Sequence, residues 1–201
     1  MADPATVIKF YESIRTAAAV RRLDPFLLAA LVEQESDGEQ DAWNPEPRYR
    51  YFWNVRTGAP FRRVSDLELA AKFPPKDFPT IAGDPDNEWW GQQASWGLTQ
   101  IMGAVAREHG YKGKYLPRLC SDPALNLDLG AAHLAAQITW AATLAVGLED
   151  ERQAASTRAG LAAYNGGRTG NAPTGPLRNR EYADEVLARF RRLREFWTSQ
   201  P

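Results

Sequence analysis

Cysteine is almost missing from this chain. Cys120 stands alone, so no intrachain disulfide can form and no cysteine-based metal cluster can be built. Histidine is nearly as scarce: His109 and His133 are the only two, and neither sits at ligand spacing. A zinc site or a His-based nucleophilic triad is therefore poorly supplied, and both residues read as ordinary helix positions. Excess charge is missing too, since 24 Lys and Arg face 25 Asp and Glu for a net charge of -1. That balance gives no bulk electrostatic reason for a nucleic-acid or anionic-membrane partner. No apolar run approaches the length of a membrane span, so no stable membrane insertion is expected. Met1–Val7 carries no basic stretch followed by an apolar one, and no Sec signal is read there. Internal repeats and low-complexity tracts are absent as well. The expectation is a monomer that needs no cofactor and no metal.

What remains is the mix of a soluble globular domain: 44% hydrophobic and 24% charged residues over 201 positions. Asp3-Pro4 predicts the start of a first helix, with Val7, Phe10, Tyr11, Ile14 and Ala18 as its apolar stripe. Asp24-Pro25 repeats the device and opens a second helix that runs through Leu27, Leu28, Leu31 and Val32 to Glu35. Together they predict a helical hairpin. Gly97-Leu98-Thr99-Gln100-Ile101-Met102 predicts the beginning of another helix, ended near Gly110. Asp122-Pro123 caps a long one reaching about Val146. A further helix is predicted from about Asp150 to Tyr164, stopped by Asn165-Gly166-Gly167, and a last one from about Glu181 to Phe196 with Tyr182, Val186, Phe190 and Leu193 on one side.

Between Asp37 and Trp96 the texture changes. Pro, Gly, Asn and Asp recur, and aromatics interleave with arginines, as in Arg48-Tyr49-Arg50-Tyr51-Phe52-Trp53 and Trp89-Trp90. Tyr49–Val55 is strand-like and predicts a small β-hairpin through Arg56-Thr57-Gly58. Ser65 to Lys72 reads as a short capped helix. A segment this long inside a compact domain either packs as a small subdomain or carries function, and its aromatics are suited to stack on sugar rings. Aromatics interleaved with arginine could also meet RNA bases, but the near-zero net charge argues against it. The organisation expected is one domain, 1–201, all-α apart from an aromatic and Arg-rich insertion at 37–96 that forms part of a substrate groove.

Glu35 is the residue that draws attention. It lies four positions after Leu31 and three after Val32, so it shares their buried-looking face, while Glu33 points elsewhere. A carboxyl held on an apolar stripe has its charged form disfavoured and its pKa raised, the means by which a protein keeps a carboxylic acid protonated near neutrality.

Four short strings surround that observation: Glu35-Ser36, Ser95-Trp96-Gly97-Leu98-Thr99-Gln100, Ala162-Ala163-Tyr164-Asn165-Gly166-Gly167 and Arg180-Glu181-Tyr182-Ala183-Asp184-Glu185-Val186. In this order and spacing the chain resembles the Slt-type lytic transglycosylases, relatives of goose-type lysozyme, which carry a Glu-Ser, a Gly-Leu-Met-Gln, an Ala-Tyr-Asn and a late Tyr. Ser121 to Leu134 is similar to the family's Asp-Pro…Asn…Gly helix. The resemblance covers roughly Arg22–Ser36 and Ser95–Arg191 but not the insertion. Thr99 replaces the usual Met, and Gly103 a frequent Pro.

The resemblance implies a mainly α, lysozyme-like catalytic domain acting on the β-1,4 bond between N-acetylmuramic acid and N-acetylglucosamine in peptidoglycan glycan strands. It implies Glu35 as the catalytic acid and base, with Ser36 supporting it. Ser95, Gly97 and Gln100 would contact the glycan, Tyr164 would donate to the Glu35 carboxyl, and Asn165 would bind an N-acetyl group or ring oxygen. Tyr182 would line the same groove. A lytic transglycosylase closes the muramoyl C6 hydroxyl onto C1 as a 1,6-anhydro ring, so one carboxyl suffices, whereas most glycosidases need two. Hydrolysis stays open because the chain offers Asp37, Asp41, Asp84, Asp86 and Glu88 as a second carboxylate. A non-catalytic glycan-binding or structural module of a phage or secretion assembly is the third alternative. With no Sec signal read, delivery from the cytoplasm to the periplasmic wall is expected through a holin, a virion or a specialised secretion system, and a phage or prophage lysin is the favoured setting.

Overall fold

Aspartates and serines placed just before helices set the element boundaries. The Asp24 carboxylate accepts from the Phe26 backbone N–H at 2.8 Å, with Pro25 in the first turn where its missing N–H costs nothing. Ser65 and Glu68 form a reciprocal capping box. Asp84 accepts from Asp86 N–H at 2.9 Å and Asp122 from Leu125 N–H at 3.0 Å. In this computed structural model, which describes residues 5–71, 73–81, 84–148 and 150–198, the resulting helices are α1 (Ala5–Ile8), α2 (Tyr11–Arg21) and α3 (Pro25–Ser36). They are followed by strands β1 (Trp43–Pro45), β2 (Trp53–Asn54) and β3 (Ala59–Pro60), then α4 (Asp66–Ala70), α5 (Pro85–Gln92), β4 (Ala94–Trp96), β5 (Ile101–Met102) and α6 (Gly103–Glu108). A π-helical turn, Tyr115–Leu119, precedes α7 (Pro123–Leu144), α8 (Arg152–Gly166) and α9 (Arg180–Thr198).

The chain is mainly helical with small antiparallel sheets, as the resemblance implies. It divides into two compact units, one made of 1–38 with 130–201 and the other of 39–129. From Glu39 onward the segment expected as an insertion lies in the second unit, which continues to Leu129 and so includes the Ser95–Gln100 motif.

In the first unit α3 is the central helix, and Leu28, Ala30, Leu31 and Val32 on it are fully buried. It packs against α1, α2 and α9, and α8 packs against α9. At the far end of α9, Trp197 stacks on Tyr11 with ring centroids 4.2 Å apart. The expected helical hairpin is present, with the first helix interrupted between Ile8 and Tyr11. The predicted start at Asp3-Pro4 lies outside the described residues.

The second unit holds two sheets. In the three-stranded one, β4 lies between β1 and β5. In the other, β2 pairs antiparallel with β3, and the hairpin predicted around Arg56-Thr57-Gly58 forms there. The helix predicted from Gly97 is corrected: the chain turns at 97–100, adds β5 and becomes helical only at Gly103. Gly97 at φ 67° and Gln100 at φ 45° lie in the left-handed region, which a right-handed helix cannot include. A small aromatic core supports the unit, with Phe52 stacked on Trp89 at 4.2 Å and Phe78 edge-on to Trp89 at 4.9 Å.

Beside that core lies a buried ion pair. Arg107 donates to both oxygens of Glu88, at 3.0 and 2.8 Å. Tyr115 O–H and the Gln92 amide donate to the same carboxylate at 2.8 and 2.9 Å. Gln92 in turn exchanges two hydrogen bonds with the Trp53 backbone. Removing one member strands a buried charge, so Arg107→Ala is expected to lower unfolding free energy by about 3–5 kcal/mol in urea denaturation. Arg62→Ala, at an exposed pairing with Glu68 and Asp77, is expected to cost about 1 kcal/mol or less.

Candidate active site

Three consecutive residues at the end of α3 reach α9. Glu33 is ion-paired to Arg192 and, at 3.7 Å, to Arg189. Gln34 donates to Glu185 at 3.1 Å, and Glu35 Oε1 accepts a hydrogen bond from the Tyr182 hydroxyl. The order 33 to 35 against 192 to 182 makes the helices antiparallel. On α9 the residues involved, Tyr182, Glu185, Arg189 and Arg192, follow 3-4-3 spacing and form one stripe.

Glu35 is partly buried on the last turn of α3. Burial pushes its pKa up to about 7, and the Tyr182 hydrogen bond opposes that rise by favouring the carboxylate. Tyr182 is itself pushed well above the ordinary phenol range by burial and by the neighbouring Glu35 charge, so it stays a hydrogen-bond donor wherever Glu35 titrates. Tyr182, expected to line the groove, donates to the Glu35 carboxyl from α9. Tyr164 lies in the same unit, its ring 5.1 Å from that of His133, and its phenol bears electrostatically on Tyr182.

Glu33 is more deeply buried than Glu35, at 1% exposure, a burden that two arginines make bearable. The expectation that Glu33 points elsewhere than Glu35 is corrected: both reach α9, because α9 carries arginines for the one and a tyrosine for the other. Ser36 donates to the Val32 carbonyl at 3.2 Å. Asn165, exposed near the end of α8, accepts from the Asn179 amide at 2.7 Å, and Asn179 is held in turn by the fully buried Asn171. Gly166 has no room for a Cβ, which would stand 2.2 Å from the Asn179 side chain. These two asparagines were not singled out in the sequence; both fall between α8 and α9, Asn179 directly before Arg180.

The other three expected residues, Ser95, Gly97 and Gln100, come together in the second unit. Ser95 O–H donates to the Gln100 side-chain oxygen at 2.8 Å, while the Gln100 amide donates to the carbonyls of Ala42 and Gly97 at 3.1 and 3.0 Å. Gln100 therefore uses both ends of its side chain to fix the turn. Asn126, fully buried, completes the arrangement: it accepts from Thr99 N–H and O–H and donates to the Trp96 and Leu119 carbonyls. A Cβ on Gly97 would stand 2.5 Å from the Asn126 amide, which adds to the need for glycine created by its φ. Thr99, where the family resemblance calls for Met, supplies the hydroxyl of that bond.

Of the second carboxylates considered, Glu88 is committed to Arg107, Tyr115 and Gln92. Asp84 caps α5, and Asp37, exposed, closes α3 at φ 50°. Among the described residues no group of three or more His, Cys, Asp or Glu is arranged to hold a metal ion. No helix among them is long and apolar enough to cross a membrane.

The family model described as the transglycosylase SLT domain matches residues 12–175 of the 201. The chain belongs to this family. Members of the SLT family are lytic transglycosylases acting on peptidoglycan, and the chain is an enzyme of that class. No curated protein sequence matches it.

The raised Glu35 pKa makes stability depend on pH. With a folded value of about 7 against an ordinary 4.5, the native state holds the proton more tightly, so stability falls as pH rises between those two values. Above about 7 the full penalty of a buried charge persists. Glu35→Gln removes it. The variant is expected to be more stable than wild type by up to about 3 kcal/mol near pH 8, with the gap closing toward pH 4, as read by thermal or urea unfolding at each pH.

Proposed function

We propose that this SLT domain cleaves the β-1,4 bond between N-acetylmuramic acid and N-acetylglucosamine with Glu35 as acid and then base, leaving 1,6-anhydro-muramoyl ends. The observation that carries the reading is a partly buried carboxyl with a pKa of about 7 whose Oε1 is held by the Tyr182 hydroxyl. The protonated carboxyl gives its proton to the glycosidic oxygen as the C1–O bond breaks. The carboxylate so formed, steadied by Tyr182, takes the proton of the muramoyl C6 hydroxyl as that oxygen bonds to C1. The proton returns to Glu35, and no water is consumed. Tyr182 serves the charged half of the cycle and burial serves the neutral half.

In this reading Ser36, Tyr164 and Asn165 contact the glycan beside Glu35, Asn165 with the amide face that Asn179 orients. For Ser95, Gly97 and Gln100, the internal hydrogen bonds support a role in shaping the motif loop whose backbone meets the sugar. Because peptidoglycan lies outside the cytoplasm, the enzyme meets it there, and the lysin setting expected from the sequence is kept as part of the proposal.

Mass spectrometry of digested peptidoglycan tests the chemistry. Anhydro ends are expected; reducing ends alone would establish hydrolysis and overturn the mechanism. Glu35→Gln is expected to lower the rate by about 100-fold or more, and permeabilised cells are expected to clear with wild type but not with this variant. Equal clearing by both would overturn the role of Glu35. Tyr182→Phe removes the interaction that lowers the Glu35 pKa, so the high-pH limb of the rate profile is expected to move upward. The maximal rate is expected to fall about tenfold, the cost of one hydrogen bond to a charged group.

A further inference from the structure

Within the second unit lies a cavity of about 590 Å³ whose walls are unusually apolar for an exposed surface. Trp43, Ile81 and Trp90, large hydrophobic side chains left exposed at 58%, 42% and 46%, all line it. Scattered exposed hydrophobics need no explanation, but three around one concavity mark a binding surface.

The strand register fixes which face of the sheet this is. Trp43 pairs with Trp96, Asn44 with Ser95 and Pro45 with Ala94. Side chains alternate along a strand, so Trp43, Pro45, Ala94 and Trp96 share one face and Asn44 and Ser95 the other. The cavity is lined by the first four. It lies on the face opposite Ser95 and the hydrogen bonds of the motif turn. Its floor is stiff: Trp43 stacks on the buried Trp96 at 6.0 Å, Trp96 donates to the Gly91 carbonyl at 3.0 Å, and the Glu88–Arg107–Tyr115 network lies behind.

Charge and shape narrow the occupant. Lys112 and Lys114 at the rim are balanced by Glu46 and Asp84, so no single sign prevails. A polyanion such as nucleic acid or an acidic lipid surface would require an excess of cations. A pyranose ring suits the site: its C–H face stacks on an indole, and its hydroxyl and acetamido edge meets donors and acceptors of both kinds. The family substrate supplies such rings in abundance.

We propose that this cavity is a second, non-catalytic binding site for N-acetylhexosamine units of the glycan strand, with Trp43 and Trp90 as stacking platforms. The inference rests on the reading that peptidoglycan is the substrate, and it is independent of how Glu35 acts. It gives the aromatic segment a function of its own, holding the enzyme on the wall.

Calorimetry with the N-acetylglucosamine tetramer, carried out on the full chain bearing Glu35→Gln so that nothing is cleaved, tests it. Adding Trp43→Ala and Trp90→Ala together is expected to remove one equivalent of bound tetramer and to lower cosedimentation with purified sacculi about tenfold. Trp90→Ala alone, on an exposed helical face, is expected to weaken the same equivalent and guards against disruption of β1. Retention of every bound equivalent by both tryptophan variants would overturn the proposal. So would displacement of the aromatic-dependent binding by stem peptide freed of sugar, which would assign the cavity to the peptide instead. The products released by the wild-type enzyme are measured separately, so failure of the acid–base mechanism leaves this result intact and the reverse also holds.

Discussion

The hydrogen bond from Tyr182 to Glu35 is the last rung of a ladder between α3 and α9, and its geometry depends on the rungs before it. Glu33 with Arg192 and Arg189 sets the lengthwise register of the two helices, because a buried carboxylate cannot be left without its guanidinium partners. Gln34 with Glu185 lies one step nearer the site. A slip of α9 by a single residue would turn Tyr182 by about 100° around the helix axis and away from the carboxyl. Ala183, Val186 and Leu193 of α9 are buried as well, but apolar contacts tolerate sliding. The charged pairs do not, and on this view they contribute register more than stability.

The second unit uses the same principle in another form. The Asn126 side chain makes hydrogen bonds to Trp96 and Thr99 of the turn and to Leu119, so the turn holds one shape although Gly97 and Gln100 have positive φ. Gln100 closes it from the other side. In both units a buried polar side chain fixes backbone or helix position beside the residues of interest: Asn126 engages both ends of its amide, and Glu33 engages Oε1 while its buried Oε2 has no hydrogen bond. Full engagement, as at Asn126, is the condition under which buried polar groups specify a structure rather than weaken it.

The sequence made legible what short-range periodicity and capping control. The apolar stripe of α3, the Asp24-Pro25 cap, the hairpin near Gly58 and the Ser65 capping box each depend on a few adjacent residues, and each was readable. The raised pKa of Glu35 was also readable, from its place beside Leu31 and Val32. What escaped depends on distant partners. Gly97–Met102 has helix-like apolar spacing, and contacts with Ala42 and Asn126, distant in the chain, explain why it turns into a strand instead. The reach of Tyr182 to Glu35 escaped for the same reason, since it depends on the docking of α9 on α3. A clue was present: Tyr182, Glu185, Arg189 and Arg192 form a polar stripe at helical spacing beside the apolar one. Such a stripe asks for a buried partner, and Glu33 answers it.

A carboxyl that must give a proton and then take one back is best served by a pKa near the pH of the reaction, where neither form is rare. Burial alone would carry Glu35 beyond that point, because an isolated charge in an apolar site is strongly disfavoured. A cation beside it would carry it the other way, and the two arginines of α9 pair with Glu33 instead. Tyr182 offers an intermediate solution. A neutral hydroxyl stabilises the carboxylate by one hydrogen bond, enough to hold the value at about 7 against burial without fixing the charge permanently. The two glutamates two positions apart on α3 therefore differ in chemistry because of what α9 sets against each. Arginines make Glu33 a strut, and a tyrosine leaves Glu35 able to titrate.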